Sequence, residues 1–247
     1  MNITLRNPHS ILAVLETRPK DCLQIVASSG IDDGPWAEVE KLGRKLGITV
    51  QIQGRREDQG RKGNRGHEND GRTSTAHAVV KEREPLAVEE LFSGEIDPNE
   101  CALWLAFDCI QDPHNIGALF RAASFFGARG IILTQERSAP LSSTVYDVAS
   151  GGLEHVPFTL QINLQRALEK AKEAGVWILG TSEHAKESFE KIKRDRPWLL
   201  VLGNEEKGMR RLTEQMCDMT CQVPSRGKVT SLNVSVAGGI LMSHLHA

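Results

Sequence analysis

Residues 111 to 130 read QDPHNIGALFRAASFFGARG and follow directly the apolar stretch CALWLAF, residues 101 to 107. Apolar residues recur at helical spacing after this stretch and predict a helix with one face on a core. The members of that stripe are Ile116, Leu119, Phe120 and Ala123. Arg121 lies about 140° round the helix from the first of them. The passage from strand to helix therefore carries three residues that the stripe does not explain, Asn115, Gly117 and Arg121.

The rest of this half of the chain alternates apolar segments with helical patterns. The predicted strands are residues 102–108, 130–134, 176–181, 198–204 and 219–224. The predicted helices begin near Asn115, cover residues 144–153 and 164–174, and extend from Leu232 onward. This alternation predicts an α/β fold with a mostly parallel sheet and helices on both faces.

Three polar segments follow predicted strands: DPHNIGALFR (112–121), GNEEKG (203–208) and VPSRGKVTSLN (223–233). Ligands of parallel sheets bind outside the carboxyl ends of the strands, so the three segments predict one shared site. Each also has a structural interpretation, with Asn115 or Asn233 as a helix N-cap and GNEEKG as a polar turn. The phosphate-loop, dinucleotide and serine-nucleophile motifs are missing from the sequence, which leaves the reaction unnamed.

Residues 1–82 predict a small α/β module with its own pattern of elements. Its predicted helices are residues 9–16 and 36–47, and its predicted strands are 22–28, 48–53 and 76–80. Residues 82–100 hold seven acidic residues and one basic residue, a net charge of −6. With two prolines in this stretch, residues 83–100 are predicted to form an acidic linker to a larger domain, residues 101–247.

A glycine-rich segment, GRREDQGRKGNRG at residues 54–66, holds five basic residues against two acidic ones and nothing apolar. It is either a solvated loop or an arm that binds RNA phosphates. The candidate RNA-binding residues are Arg55, Arg56, Arg61, Lys62 and Arg65.

The composition is typical of a globular protein, with 247 residues, 40% hydrophobic and 25% charged. The apolar runs are too short to span a bilayer and the N-terminus lacks a signal-peptide pattern, so we expect a cytoplasmic protein without a membrane partner. The five cysteines include no CxxC pair, and the histidines have no metal spacing. We therefore expect free buried thiols and no metal site.

The segments DPHNIGALFRAA, LVLGNEEKGM and VPSRGKVTSLNVSVAGGI, in this order, resemble the three motifs of the SpoU (TrmH-like) branch of the SPOUT RNA methyltransferases. The two-domain layout is similar to that of the large-subunit rRNA guanosine 2′-O-methyltransferases of the RlmB type. The resemblance implies a homodimer with a C-terminal trefoil knot and methyl transfer from S-adenosylmethionine to a ribose 2′-hydroxyl of rRNA, with tRNA as the alternative substrate. It also implies that the N-terminal module binds RNA.

The same resemblance assigns roles to residues. Arg121 matches the essential arginine, which is either an electrostatic stabiliser or a base activated by a phosphate contact. Asn115 would orient Arg121 or the ribose, and Glu205 would hold the arginine. Ser231 and Asn233 would complete the catalytic pocket. The positions that match cofactor-contacting residues are Gly203, Val223 and Leu232.

The sequence departs from the family pattern at a few positions. Asp147 stands where relatives commonly carry lysine, and Arg226 and Lys228 stand where small residues are more usual. These departures bear on which RNA is bound rather than on the catalytic set. Two other classes stay open, an RNA-binding protein of the same fold without activity and an α/β enzyme acting on a small molecule.

Overall fold

The computed structural model describes residues 1–29, 33–53 and 76–246. The chain divides into two compact units, Met1–Glu82 and Arg83–Ala247. The five basic residues of the candidate RNA-binding arm, Arg55, Arg56, Arg61, Lys62 and Arg65, lie outside the described residues.

The first unit contains a four-stranded sheet with the order β1-β4-β2-β3. Its strands are β1 (Asn2–Leu5), β2 (Cys22–Ser28), β3 (Val50–Gln53) and β4 (His77–Lys81), and its helices are α1 (Pro8–Thr17) and α2 (Pro35–Lys45). The β2–β3 pair is parallel and the other two pairs are antiparallel. Strand β1 was not predicted, because four residues at a chain end are too few to show an alternating pattern.

The second unit is built on a seven-stranded sheet with the order β7-β6-β5-β10-β8-β11-β9. Its strands are β5 (Leu103–Asp108), β6 (Gly130–Thr134), β7 (Phe158–Gln161), β8 (Trp177–Thr181), β9 (Glu187–Ser188), β10 (Trp198–Gly203) and β11 (Met219–Gln222). All six pairs between these described strands are parallel. The predicted parallel sheet is confirmed. The short strands β7 and β9 were not predicted from the sequence.

Helices cover both faces of this sheet. They are α3 (Val88–Leu91), α4 (Pro113–Phe125), α5 (Ser143–Ala149), α6 (Gly152–His155), α7 (Leu164–Glu173), α8 (Arg211–Met216) and α9 (Val234–Leu245). Trp104 and Ala106 of β5 pack in one cluster with residues of α3 and α7. On the other face, the Phe107 and Phe120 rings meet edge to face at 6.2 Å, which places α4 there. Successive side chains of β5 point to opposite faces of the sheet, so the strand packs against helices on both sides.

Helix α4 confirms the predicted apolar stripe, since its four members are fully buried. The N-cap of the helix is Asp112, whose carboxylate accepts a hydrogen bond from the His114 backbone N–H at 2.8 Å. Asn115 is therefore not the N-cap, because an aspartate before Pro113 already supplies the favoured start. A Cβ on Gly117 would lie 2.7 Å from the Val148 Cβ atom, so this glycine lets α5 approach closely.

Residues 83–100 are a structured part of the second unit rather than an open linker. Val88, Leu91 and Phe92 are buried in the same cluster as Trp104. The Trp104 indole N–H donates to the Leu91 carbonyl oxygen at 3.2 Å. The many acidic residues of this stretch suggested a linker, but three buried apolar residues among the exposed carboxylates anchor it to the second unit.

Four further elements differ from the sequence prediction. The single helix predicted over residues 144–153 is two helices, α5 and α6, because Ser150 and Gly151 have left-handed φ angles of 48° and 93°. Strand β11 ends at Gln222 rather than at residue 224, and α9 begins two residues after Leu232. Helix α8 was not predicted, and only Thr213 of its six residues is buried.

All five cysteines are free, as predicted, and four of them are buried, whereas Cys217 is half-buried. Burial raises the pKa of Cys22 to about 11 and the pKa values of Cys217 and Cys221 to about 12. Thiols with such pKa values are unreactive at neutral pH. Among the described residues, each helix is too short or too polar to cross a membrane.

Candidate active site

Three segments leave the same edge of the second sheet. Strands β5 and β10 are paired in parallel with Asp108 opposite Gly203, so the segments that follow them start side by side. Strand β11 runs in the same direction through its pairing with β8. The segments are residues 109–112, the turn at residues 204–208 and the loop at residues 223–233. The predicted meeting of the three polar segments at one edge is confirmed.

Glu205 of the turn binds the start of helix α4. Its carboxylate oxygens accept hydrogen bonds from the backbone N–H groups of Gln111 and Asp112, both at 3.3 Å. The same carboxylate accepts the Asn115 side-chain amide at 3.0 Å and the Asn204 side-chain amide at 3.3 Å. A negative charge at this place also complements the positive end of the helix dipole. Glu205 therefore joins the segment after β10 to the segment after β5.

Asn115 and Asn233 extend this connection to helix α9. Asn115 is 94% buried, and its Oδ1 atom accepts a hydrogen bond from the Asn233 side-chain amide at 2.9 Å. Asn233 is the N-cap of α9, and its Oδ1 atom accepts the Ser235 backbone N–H at 2.8 Å. Because a carboxylate only accepts, Asn115 must present its NH₂ group to Glu205 and its oxygen to Asn233. The charge of Glu205 thus orients both amides in this row, which we call the Glu205–Asn115–Asn233 network.

Arg121 lies outside that network. Its side chain is exposed and makes no hydrogen bond or ion pair with any residue that the structure describes. It follows Asn115 by six helical residues, which is about 9 Å along the axis and about 120° round it. The backbone beneath it is tightly packed, because a Cβ on Gly152 would lie 2.9 Å from the Arg121 Cα atom. Within this chain Glu205 binds Asn115 and makes no hydrogen bond with Arg121.

Gly203 is needed by the turn that follows it. A Cβ atom there would overlap the Met209 nitrogen and the Gly208 carbonyl carbon. The turn closes through two backbone hydrogen bonds between Asn204 and Gly208, at 3.0 and 2.9 Å. The Asn204 amide also donates to the Cys109 carbonyl oxygen at 2.9 Å, which fixes the turn against the end of β5. The close approach at Gly203 is therefore to the chain itself.

The other predicted site residues lie on the loop after β11. Val223 is half-buried, while residues 224–233 are all exposed. Leu232 exposes 52% of its surface, which is high for a leucine in a structured loop. The Ser231 side chain makes no hydrogen bond with the described part of the chain. Of the four predicted positions on this loop, only Asn233 makes a hydrogen bond with another of the three segments. The Arg226 and Lys228 side chains make no hydrogen bond or ion pair with a described residue.

An ion pair with a buried carboxylate anchors the same edge, and the sequence analysis did not predict it. Asp108, at the end of β5, is fully buried and accepts the Arg210 Nε–H at 2.6 Å and the Arg210 backbone N–H at 2.8 Å. Arg210 lies two residues after the turn, so the pair holds the turn from its far side. A charged residue that ends an entirely apolar strand needs a partner, and this was the available signal. No feature of the sequence around Arg210, which is 102 residues away, identified it as that partner.

The chemistry of this edge is that of hydrogen-bonding and charged groups. Burial, reinforced by the charge of Asp108, raises the pKa of the Cys109 thiol and keeps it neutral. Within the described ranges, no three His, Cys, Asp or Glu residues are grouped to hold a metal ion. The groups present can orient bound molecules and stabilise a developing negative charge.

A protein-family model described as the SpoU rRNA Methylase family matches residues 102–243. A Bacillus subtilis protein described as the putative TrmH family tRNA/rRNA methyltransferase YacO is 36% identical over 237 residues, which cover 95% of this chain and 92% of that protein. The 23S rRNA (guanosine-2′-O-)-methyltransferase RlmB of Pseudomonas aeruginosa is 35% identical over 238 residues, with coverage of 95% and 92%. The RlmB protein of Nitrosomonas europaea is 42% identical over 164 residues, with coverage of 66% and 62%.

Solved structures share the fold. The SpoU methyltransferase AviRb from Streptomyces viridochromogenes superposes with a TM-score of 0.77 at 20% identity and covers 99% of this chain and 88% of its own. Its complex with the cofactor AdoMet gives a TM-score of 0.75 at 20% identity, with coverage of 99% and 89%. An A. aeolicus TrmH/SpoU tRNA modifying enzyme matches 64% of this chain and 79% of its own, with a TM-score of 0.53 and 22% identity.

Proposed function

The chain belongs to the SpoU rRNA methylase family, and on this premise we propose that it methylates the ribose 2′-hydroxyl of a guanosine in large-subunit (23S) ribosomal RNA, with S-adenosylmethionine as the methyl donor. The rRNA assignment draws on relatives of 33–42% identity that are named for this reaction. Such a substrate would place the enzyme in the cytoplasm.

The observation that carries the proposal is the Glu205–Asn115–Asn233 network. It joins one residue from each of the three motifs that the family resemblance singled out, through hydrogen bonds of 3.0 and 2.9 Å. A family member that had lost its activity would have no need to keep a fully satisfied polar row of this kind. The network therefore favours an enzyme over a non-catalytic RNA-binding protein.

The residues after β10 and β11 fit S-adenosylmethionine. Its adenine has a flat apolar face and a hydrogen-bonding edge, and the loop offers the exposed Leu232 side chain beside backbone groups of an exposed stretch. Val223 and Leu232 would hold the adenine, and the backbone near Gly203 would bound the pocket. Bound S-adenosylmethionine supplies an electrophilic methyl group.

The chain's own residues would act on the acceptor. A ribose 2′-oxygen attacks only as its proton leaves, so negative charge develops on it in the transition state. Arg121 carries a positive charge and a planar set of donors, and it would fix the neighbouring phosphate and stabilise that oxygen. Asn115, Glu205 and Asn233 would act as positioning residues, because their polar atoms are engaged with one another. Ser231 would line the acceptor side of the pocket.

A homodimer would complete the site. Arg121 does not face the Glu205–Asn115–Asn233 network of its own chain, which leaves it available to the site of a second copy. Helices α4 and α9 pack together, with a Cβ on Gly238 placed 2.5 Å from Leu119. Their outer surfaces expose Phe125 by 81% and Val236 by 50%. A second copy would cover these apolar side chains.

The same family premise leads us to propose the C-terminal trefoil knot. Strand β11 pairs with β8, yet the chain then returns so that α9 packs on α4 and β10. This return crosses the carboxyl edge, where the turn at residues 204–208 is fixed. Threading of residues 223–245 behind that turn would lock the cofactor loop in place.

The N-terminal module, Met1–Glu82, would be the RNA-recognition unit. An alanine variant of Arg55, Arg56, Arg61, Lys62 and Arg65 should keep its S-adenosylmethionine affinity and lose rRNA affinity, with a flatter slope of log affinity against log salt. An unchanged slope would identify the segment as a solvated loop.

The decisive experiment is incubation of the protein with labelled S-adenosylmethionine and rRNA or tRNA from cells that lack the enzyme, followed by nucleoside analysis. We expect 2′-O-methylguanosine in 23S rRNA. Label in tRNA alone would support the alternative, which the tRNA/rRNA description of the Bacillus subtilis relative keeps open.

Arg121→Ala should reduce methyl transfer by about a thousandfold with S-adenosylmethionine binding unchanged. Arg121→Lys should also fail, because a point charge does not replace the planar fork.

A further inference from the structure

Three residues other than glycine have positive φ angles in the described part of the chain: Cys109 at 63°, Arg137 at 59° and Ser150 at 48°. Two of them lie at the carboxyl edge of the second sheet, because Cys109 directly follows β5 and Arg137 follows the neighbouring strand β6. The left-handed conformation is unfavourable for residues that carry a Cβ atom, and glycine adopts it readily.

The loop that carries Arg137 is tied to the segment after β5. Thr134 is buried, and its hydroxyl accepts the Cys109 backbone N–H at 3.0 Å and lies 2.5 Å from the Ser138 hydroxyl. The Ala139 backbone N–H donates to the Ile110 carbonyl oxygen at 3.0 Å. These bonds hold Arg137 beside the residues that lead into α4. The next backbone N–H groups along that segment, at residues 111 and 112, bind Glu205.

The side chain of Arg137 has no use within the described structure. It is exposed and makes no hydrogen bond or ion pair with the residues that are described. If only the backbone shape mattered, glycine would supply it at lower cost. Strained residues of this kind cluster at ligand sites, where the side chain compensates for the strain. A guanidinium group binds oxyanions, and phosphate best of all, through paired N–H donors.

The two oxyanions in the proposed reaction are the RNA phosphates and the carboxylate of S-adenosylmethionine. Strands β6 and β10 flank β5 on opposite sides. The predicted cofactor residues follow β10 and β11, whereas Arg137 follows β6, on the far side of β5 from them. We propose that Arg137 binds an RNA phosphate close to the methylated nucleotide, an inference that rests on the proposed function.

The test compares Arg137→Ala, Arg137→Gly and Arg137→Lys with Arg194→Ala. Arg194 is an exposed arginine that precedes β10 and so lies at the opposite, amino edge of the sheet. Affinity for a 23S rRNA fragment is measured at several salt concentrations, and S-adenosylmethionine affinity by calorimetric titration. We expect Arg137→Ala to weaken RNA binding about tenfold and to flatten the salt slope by about one phosphate contact. Arg137→Lys should recover part of the affinity, and Arg194→Ala should match the wild type.

Arg137→Gly separates a binding role from a structural one. It should raise Tm by about 2 °C through relief of the left-handed strain while losing as much RNA affinity as Arg137→Ala. A lower Tm would mean that the side chain stabilises the loop, and would overturn the inference. Unchanged RNA affinity, or a loss confined to S-adenosylmethionine, would overturn it as well. Absence of methyl transfer by the wild type would instead reject the proposed function, and the RNA-binding comparison would still decide the role of Arg137.

Discussion

The turn at residues 204–208 and the loop at residues 223–233 leave the same edge of the second sheet and differ in how they are held. Two backbone hydrogen bonds close the turn, and the Asn204 side-chain oxygen accepts the Glu206 and Lys207 backbone N–H groups at 3.2 and 3.1 Å. In the loop, the Ser225 hydroxyl makes the internal bonds, the shortest to the Val229 carbonyl oxygen at 2.6 Å. Residues 224–233 are otherwise exposed.

This difference indicates which half of the proposed site the chain can form without a ligand. The turn has its shape fixed by the chain's own donors and acceptors, which preorganises Glu205 before any ligand binds. The loop leaves apolar side chains such as Leu232 and Val229 in contact with solvent, at 52% and 75% exposure. Exposed apolar surface beside a polar site is typical of a binding surface. Changes in the turn should therefore affect folding, and changes in the loop should affect binding.

The matched glycines Gly203 and Gly227 give the largest contrast. Gly203→Ala should cost about 3 kcal/mol in the free energy of unfolding, because its Cβ would overlap the backbone at Gly208 and Met209. Gly227→Ala, with no atom within 4 Å of its Cβ position, should cost less than about 0.5 kcal/mol. Urea unfolding monitored by tryptophan fluorescence measures both. Equal costs would contradict the distinction between turn and loop.

The anchor of the turn gives the next effect. Asp108→Ala should cost about 2 kcal/mol, because it leaves Arg210 without its partner; we set this below the usual cost of breaking a buried pair since the Arg210 side chain is 36% exposed. The control is Asp195→Ala, which removes an exposed ion pair with Arg196 and should leave the unfolding transition nearly unchanged. Thermal and urea unfolding of both variants decide whether Asp108 anchors the turn.

Glu205→Gln tests the network with a smaller expected change. A glutamine offers one oxygen where four donors now share two, so at least one N–H group loses its partner, at a cost of about 1 kcal/mol. We expect kcat to fall about tenfold with the KM for S-adenosylmethionine nearly constant. Glu206→Gln is the control, since the neighbouring carboxylate is exposed and bonds to no described residue. A tenfold loss in both variants would point to surface charge instead.

Leu232→Ala should have the smallest effect and only on binding. We expect about a fivefold weaker affinity for S-adenosylmethionine, equivalent to about 1 kcal/mol, with the unfolding midpoint unchanged. Val229→Ala, on the same loop, controls for a general effect of lost apolar surface. Calorimetric titration of the folded proteins compares the two, and equal affinity in Leu232→Ala and wild type would remove this side chain from the cofactor site.

The sequence by itself determined the parallel sheet, the helix after the first strand of the second unit and the three polar segments at one edge. Periodicity and strand-end position are local properties, so a reader of the chain can recover them. The same local view placed the N-cap at Asn115 and a linker at residues 83–100, because it weighed residue type and charge without knowing what Asp112 and the apolar anchors would contact.

Only the tertiary structure decided which polar residues touch. Asn115 meets Glu205 across 90 residues and Asn233 across 118, and Asp108 meets Arg210 across 102. These pairs form because β10 lies beside β5 in the sheet and because α9 packs on α4. Hydrogen bonds need alignment to within a few tenths of an ångström, and that alignment arises only when strands distant in sequence have packed. The sequence shows which residues are polar, and the packing of the folded chain decides which of them contact one another.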